Sequence, residues 1–358
     1  MFHLSSFLVL IRVKNSVMAS VSGMIGILAV RGQIDPLTVL YAMISAFLIS
    51  SASFAINDVC DRRLDESSAR LNPLTKGDIS PNQAAAIAVS FSIAGFCAAI
   101  LTKSWITYSL AGISALVGFV YSLYLKPSMP TIGNLATSYS FGITFVGGAS
   151  VFGLPNLLAT GAVFFMCAIS MTANFSRELI KGIADCEGDG RWGIRTVAVT
   201  RGPKFAAGAA LFAMIVTVGL TYVPLVLGIF RSSYAVVITL ADILLVTLAA
   251  SVYLSPTVER AIYVKKDLLN CMLIGLVAFL IGPHFEYYSI YAVPFEALAA
   301  VIFVVLLRKS SVKNLWSSFT VSFLQTTETN NARQHYSYRQ SFCCLSRYYP
   351  TIPSNSGR

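Results

Sequence analysis

The sequence predicts an all-α, polytopic membrane bundle of nine or ten transmembrane helices. Three observations carry this expectation. Of 358 residues, 56% are apolar and 12% charged, whereas soluble domains carry about 25% charge, and the mean hydropathy is +0.70. Apolar runs recur from residue 16 to residue 308, each close to the ~20 residues a helix needs to cross ~30 Å of hydrocarbon. The runs are continuous rather than alternating with period 2, which favours helices over a closed barrel, the other structure that satisfies its backbone in lipid.

In chain order, spans are expected at 16–31, 37–56, 82–102, 106–124, 131–153, 157–180, 204–229, 234–254, 268–283 and 288–308. The first follows Arg12 and Lys14 and lacks a small-residue cleavage site, so it reads as a retained span. The ninth is short, broken near Gly282-Pro283 and followed by an amphipathic stretch over 285–290; ten spans is the favoured number. Two polar loops, 57–81 and 177–203, follow the second and sixth spans, which suggests two four-helix halves around a central cavity. Loops of this length usually carry function. Residues 1–308 are the expected transmembrane domain. From 309 to 358 the chain turns to Ser, Thr, Asn, Gln and Tyr with Glu328 its only acid, the composition of a disordered tail.

Charge fixes the expected orientation. With the N-terminus in the cytoplasm, the inner side before the tail holds sixteen Lys and Arg and the outer side three, Arg31, Lys103 and Arg231. The positive-inside rule therefore puts both long loops in the cytoplasm. The net charge of +10 reports topology and anionic headgroups; no zinc-finger, RNA-binding or helix-turn-helix pattern points to nucleic acid. Seven cysteines without a CxxC pair and three scattered histidines argue against zinc or haem.

Half of the sixteen acids fall in two short windows: Asp58, Asp61, Asp65 and Glu66, and Glu178, Asp185, Glu187 and Asp189. On a helix continuing the second span, Asp58, Asp61 and Asp65 share one face within about 60°. Asp185 and Asp189 are one turn apart. Clustered carboxylates repel one another unless cations neutralise them, and hard oxygen donors suit Mg²⁺ completed by waters and phosphate oxygens. The loops add Arg62, Arg63, Arg70, Lys76, Arg177, Lys181, Arg191 and Arg195, cations fit for phosphate. Either cluster alone reads as a solvated helix end. Two of one type on one side of the membrane read as a site for an amphiphilic diphosphate. Asp242, inside the eighth span, is an intramembrane acid that reads equally as a functional group or a helix-packing hydrogen bond.

These residues resemble the UbiA superfamily of intramembrane prenyltransferases. Asn57-Asp58 through Asp61 to Asp65 looks like its NDxxDxxxD motif, and Asp185 to Asp189 like its DxxxD motif. Tyr121-Ser122-Leu123-Tyr124-Leu125-Lys126 with Ile132-Gly133-Asn134 is similar to the segment after its fourth helix. Arg12 with Asn15 and Gly77-Asp78-Ile79-Ser80 also match, and the likeness covers about residues 8–285. Within the superfamily, Arg177 to Asp185 followed by Gly188-Asp189 and Arg195-Thr196 is similar to the archaeal digeranylgeranylglyceryl phosphate synthases. Where relatives carry Arg-Pro-Leu or Arg-Pro-Ile, this chain has Asn72-Pro73-Leu74, so the diphosphate-binding arginine the resemblance implies is absent or replaced by Arg70 or Lys76.

The resemblance implies a magnesium-dependent transferase of the cell membrane, with its site on the cytoplasmic side. The implied partners are a polyprenyl diphosphate, a lipid-like acceptor and membrane lipids. The metal ligands would be Asp58, Asp61, Asp65, Asp185 and Asp189, with Asn57 and Tyr121 completing the catalytic set. Arg70, Lys76, Lys126, Arg177, Lys181 and Arg195 would hold diphosphate or phosphate. The implied reaction moves a geranylgeranyl group onto geranylgeranylglyceryl phosphate. An aromatic acceptor, such as 4-hydroxybenzoate or a quinone or haem precursor, is the alternative within the superfamily. An ion-coupled transporter is the alternative outside it, although its acids should lie mid-membrane on broken helices rather than at cytoplasmic helix ends.

Overall fold

A computed structural model describes residues 4–30, 35–67, 71–153 and 156–283. The expected tenth span, the tail and Arg70 lie outside them. Every regular element among the described residues is helical: α1 (Leu4–Leu10), α2 (Val13–Ala29), α3 (Pro36–Ser67), α4 (Pro81–Leu101), α5 (Trp105–Val120), a π-helical turn (Tyr121–Leu125), α6 (Lys126–Ser128), α7 (Pro130–Ala149), α8 (Leu157–Ala184), α9 (Cys186–Arg191), α10 (Val197–Arg201), α11 (Pro203–Val226), α12 (Ser232–Leu254) and α13 (Val258–Ile281).

The starts are written in local chemistry. Proline stands at the first turn of α4, α7 and α11, where its missing N–H costs no hydrogen bond. Ser80 and Gln83 close a reciprocal capping box on α4. Asn156 and Thr257 cap α8 and α13 through side-chain oxygens, satisfying amides that have no partner within the helix.

Six helices are long and apolar enough to cross a membrane: α3, α4, α5 with the turn and α6 behind it, α8, α11 and α12; the pair α1–α2, bent by 55°, makes seven. The expected spans at 131–153 and 268–283 coincide with α7 and the later part of α13, which fall below that apolar threshold. Polar residues explain both: α7 carries Ser, Thr and Gly along its cavity side, and α13 opens with Glu259, Arg260, Lys265, Lys266 and Asp267. Two boundaries differ from expectation for the same reason. α3 runs on to Ser67 through what the sequence reads as loop, and α13 begins at Val258 rather than 268, because charged turns at a helix end are invisible to hydropathy.

Helices α2, α7, α8, α12 and α13 meet around an apolar core that includes Ile25, Phe145, Met166, Tyr234 and Phe279. Phe279 stacks on Tyr234 and meets Phe145 edge-on. The α2–α7 crossing is closed by glycine: a Cβ on Gly148 would stand 1.9 Å from the Gly23 carbonyl oxygen, and one on Gly26 would stand 2.1 Å from that of Phe145. Backbones approach this closely in membrane bundles only where the side chain is absent or small.

Gly148→Ala should therefore lower stability by about 2 kcal/mol or more. Gly147→Ala should not, because its Cβ meets nothing within 4 Å. Thermal unfolding of both variants in detergent checks the contrast; equal melting temperatures would mean that the crossing is not set by glycine.

Candidate active site

The first acidic motif is built by the overrun of α3. Asp58, Asp61 and Asp65 face inward, 5%, 8% and 4% exposed, and each carboxylate has a separate partner. Arg12 Nη2 donates to Asp58 Oδ1 at 2.8 Å. Asn57 Nδ2 donates to Asp61 Oδ2 at 2.8 Å, and Lys126 Nζ pairs with the same oxygen. Asn72 Nδ2 donates to Asp65 Oδ2 at 2.7 Å, so the asparagine standing in the family's arginine position fastens the loop to the motif. Glu66 is exposed and pairs with Arg62 at 2.8 Å.

Two backbone irregularities aim the cations. Arg12 occupies the break between α1 and α2 with φ +43°, a left-handed conformation that disfavours residues bearing a Cβ. Its guanidinium also lies 4.9 Å over the Phe54 ring. The π-helical turn at Tyr121–Leu125 widens α5 just before Lys126, whose N–H reaches the Tyr121 carbonyl. Such turns recur at functional sites because the extra residue redirects the side chains that follow. Gly133 gives the Tyr121 ring room, since a Cβ there would lie 3.2 Å from it.

The second motif lies where α8 ends. Asp185 closes that helix and opens α9, and the Asp189 N–H bonds the Asp185 carbonyl at 2.9 Å, so the two stay one turn apart. Lys265, from α13, pairs with Asp185 at 3.1 Å, while its carbonyl accepts from Arg177 Nε at 3.2 Å. Glu178 is buried between Arg177 and Lys181 at 2.9 and 3.2 Å. Trp192 Nε1 donates to Ser67 Oγ at 2.8 Å, tying the second motif's segment to the end of the first motif's helix.

Burial first, then Asp185 and more weakly Asp61, push the Asp189 carboxyl up to about 6, against the pull of Lys126 and Lys181. The two motifs therefore act on each other electrostatically. Among the described residues no three acidic, His or Cys side chains converge into a metal cage. Mg²⁺ does not ask for one: it binds through one or two carboxylates and takes its remaining ligands from water and phosphate. Mutually repelling carboxylates from two motifs, with lysines as present counter-charges, fit a cation shared with a phosphorylated substrate.

Above the motifs a continuous cavity enters the bundle. Arg12, Asn57, Tyr121, Arg177, Glu178 and Lys181, neighbours of the motif carboxylates, line it, and the motif aspartates themselves do not. It follows α5 from Tyr121 back to Thr107, a rise of about 20 Å, and reaches Asp242 and Phe279 on α12 and α13.

Of the residues singled out from the sequence, the fold gathers Asn57, Asp58, Asp61, Asp65, Tyr121, Lys126, Arg177, Lys181, Asp185 and Asp189. Lys76 and Arg195 are exposed and form no ion pair among the described residues, and Arg70 lies outside them. The sequence reading assigned no part to Lys265 or Glu178. Lys265 is 80 positions from its partner and reads as one more positive-inside residue; Glu178 stands inside the second window, but its pairing shows only in the helix.

The profile of the UbiA prenyltransferase family matches residues 16–265. The chain belongs to this family. It is 31% identical, over 283 residues, to the digeranylgeranylglyceryl phosphate synthase of Methanocaldococcus jannaschii, covering 79% of this chain and 97% of that one. A solved structure of a digeranylgeranylglyceryl phosphate synthase superposes with a TM-score of 0.62 at 30% identity, over 78% of this chain and 98% of the other. A UbiA homologue from Archaeoglobus fulgidus bound to GPP and Mg²⁺ shares the fold, with a TM-score of 0.55 at 16% identity over 76% and 99% of the two chains.

A raised Asp189 holds its proton more tightly folded than unfolded. Its contribution to stability is thus complete below pH ~4 and lost as pH climbs through about 6. Asp189→Asn should stabilise the metal-free protein at pH 7.5 by up to about 3 kcal/mol and leave it little changed at pH 4. Melting temperatures in EDTA at both pH values check this; an Asn variant less stable at pH 7.5 would contradict the electrostatic picture.

Proposed function

We propose that this prenyltransferase transfers a geranylgeranyl group from geranylgeranyl diphosphate to the free hydroxyl of geranylgeranylglyceryl phosphate, forming the second ether bond of an archaeal lipid. The observation that carries the acceptor is the 31% identity sustained across 97% of the M. jannaschii synthase. The cavity lining is compatible with it: Arg12, Arg177 and Lys181 stand there, paired with Asp58 and Glu178 and available to anionic headgroups.

Asp58, Asp61, Asp185 and Asp189, backed by Asp65, would hold Mg²⁺, which supplies Lewis-acid polarisation of the diphosphate. Lys126 and Lys181 neutralise the charge that gathers on the leaving diphosphate as the allylic C–O bond breaks, and fixed cations of this kind act without reorganising. Asn57 orients Asp61, and Tyr121 borders the reacting carbon. The cavity walls keep water from the allylic cation until the acceptor hydroxyl forms the new C–O bond and gives up its proton. The remaining loop cations, Arg70, Lys76 and Arg195, serve as outer contacts for the two anionic headgroups.

We further infer that α7 and α13 span the bilayer, which makes nine spans in the described residues, arranged as two four-helix halves plus α13. Both motif loops face the cytoplasm. In a cysteine-free background Trp192→Cys should then resist a membrane-impermeant thiol reagent applied from outside; strong labelling would invert the topology.

Asp58→Asn, Asp61→Asn and Asp185→Asn should each lower transfer at least a hundredfold without unfolding the protein, and EDTA should abolish it. Mass spectrometry of products from a panel of acceptors tests the substrate. Geranylgeranylglyceryl phosphate should be prenylated and its dephosphorylated form far more slowly. Turnover of 4-hydroxybenzoate with none of the glycerol phosphate ether would overturn the acceptor and leave the family standing.

A further inference from the structure

One cation of the site belongs to neither acidic motif. Lys265 stands on α13, and its Nζ donates to Asp185 Oδ1 at 3.1 Å. Its side chain is 18% exposed and that of Asp185 30%. The simplest account is a tie that docks α13 on α8, but the fold makes that tie by other means. The main-chain carbonyl of Lys265 accepts from Arg177 Nε of α8 at 3.2 Å. Val264 and Leu268 to either side are buried, and further along α13 Ile274, Ala278 and Phe279 enter the shared core. Docking therefore does not explain why an ammonium is set on a carboxylate of the second motif.

The same arrangement occurs at the first motif, where Lys126 pairs with Asp61. Each motif thus keeps a lysine on one of its carboxylates, and together the two ammonium groups carry the charge of one divalent cation. Arginine serves differently: Arg12 is fixed between Asp58 and the Phe54 ring, as suits a planar, pre-organised group. A lysine ammonium is a compact charge on a flexible four-carbon stem and can leave one anion for another without moving the backbone. Coordination chemistry says where it would go. Ligands of one Mg²⁺ are neighbours in its octahedral shell, so an ammonium already touching Asp185 stands beside any phosphate oxygen that shares the metal with that carboxylate.

We propose that Lys265 is a ligand of the diphosphate, held on Asp185 until metal and diphosphate arrive together. This role rests on the metal site proposed above. Before substrate binds, the ammonium offsets the charge of Asp185 and competes with a divalent cation for it. Once the carboxylate serves a metal, a partly buried ammonium without an anion is strongly disfavoured, and the diphosphate supplies that anion. Metal and diphosphate therefore strengthen each other's binding, by the same factor in both directions, and metal alone is held weakly.

The test uses the full chain in nanodiscs of uncharged lipid, with Mn²⁺ as the metal probe and geranylgeranyl thiolodiphosphate as the substrate probe. Electron paramagnetic resonance reads unbound Mn²⁺, and titration calorimetry measures the thiolodiphosphate at saturating Mn²⁺. In wild type the thiolodiphosphate should tighten Mn²⁺ binding at least tenfold. Lys265→Met should bind Mn²⁺ alone at least fivefold more tightly than wild type, yet bind the thiolodiphosphate at least tenfold more weakly. Those opposite signs separate the role from a structural one, in which both affinities would fall together. Lys265→Arg keeps a cation on Asp185 and should hold Mn²⁺ alone about as weakly as wild type. Lys265→Gln, neutral but polar, should follow the methionine pattern and serves in its place if that variant does not fold. Mn²⁺ affinity unchanged or weakened in both neutral variants, or tightened with the thiolodiphosphate unaffected, overturns the role. Failure of wild type to take up Mn²⁺ even with the thiolodiphosphate removes the metal site and the role with it, whereas uptake that is the same in every variant removes the role alone.

Discussion

Buried carboxylates at a membrane border must find positive charge, and the arrangement of this bundle follows from how they find it. Three acids of α3 and Asp189 of α9 are buried, where each unpaired charge would be heavily penalised, and Asp185 beside them is partly exposed. Arg12 reaches Asp58 from the break before α2, Lys126 reaches Asp61 from the π-helical turn, and Lys265 reaches Asp185 from α13. Each pair joins elements distant in sequence. The ion pairs that compensate the carboxylates also tie these helices together.

This compensation also explains the backbone irregularities. A left-handed arginine and a π-helical turn are costly in isolation, and both occur where a cation must be delivered to a carboxylate. Conformations of this kind persist only when surrounding structure over-determines them. Here the surroundings are the ion pairs, the Phe54 ring under Arg12 and the glycine that admits Tyr121.

Much of this was legible in the residues. Hydropathy located the membrane helices through α12, and the spacing of Asp58, Asp61 and Asp65 correctly placed them on one face. Hydropathy stopped short where charge enters a helix: the overrun of α3 to Ser67 and the charged opening of α13. Pairing was beyond it altogether. Nothing in the spacing of Lys265 and Asp185, or of Arg12 and Asp58, tells that they meet, because those contacts are created by helix packing. The role of Asn72 was similarly hidden: in sequence it is a missing arginine, and in the fold it is the residue that fixes Asp65.

The central claim is that the two acidic motifs share a divalent cation with a diphosphate, the lysines yielding their carboxylates to it. Anomalous diffraction from crystals grown with Mn²⁺ and geranylgeranyl thiolodiphosphate tests it most directly. The account predicts manganese density between the carboxylates of Asp58 and Asp61 and those of Asp185 and Asp189, with Lys126 released from Asp61 onto the diphosphate. Density remote from both motifs, or diphosphate bound while the Lys126–Asp61 and Lys265–Asp185 pairs stay closed, would contradict it.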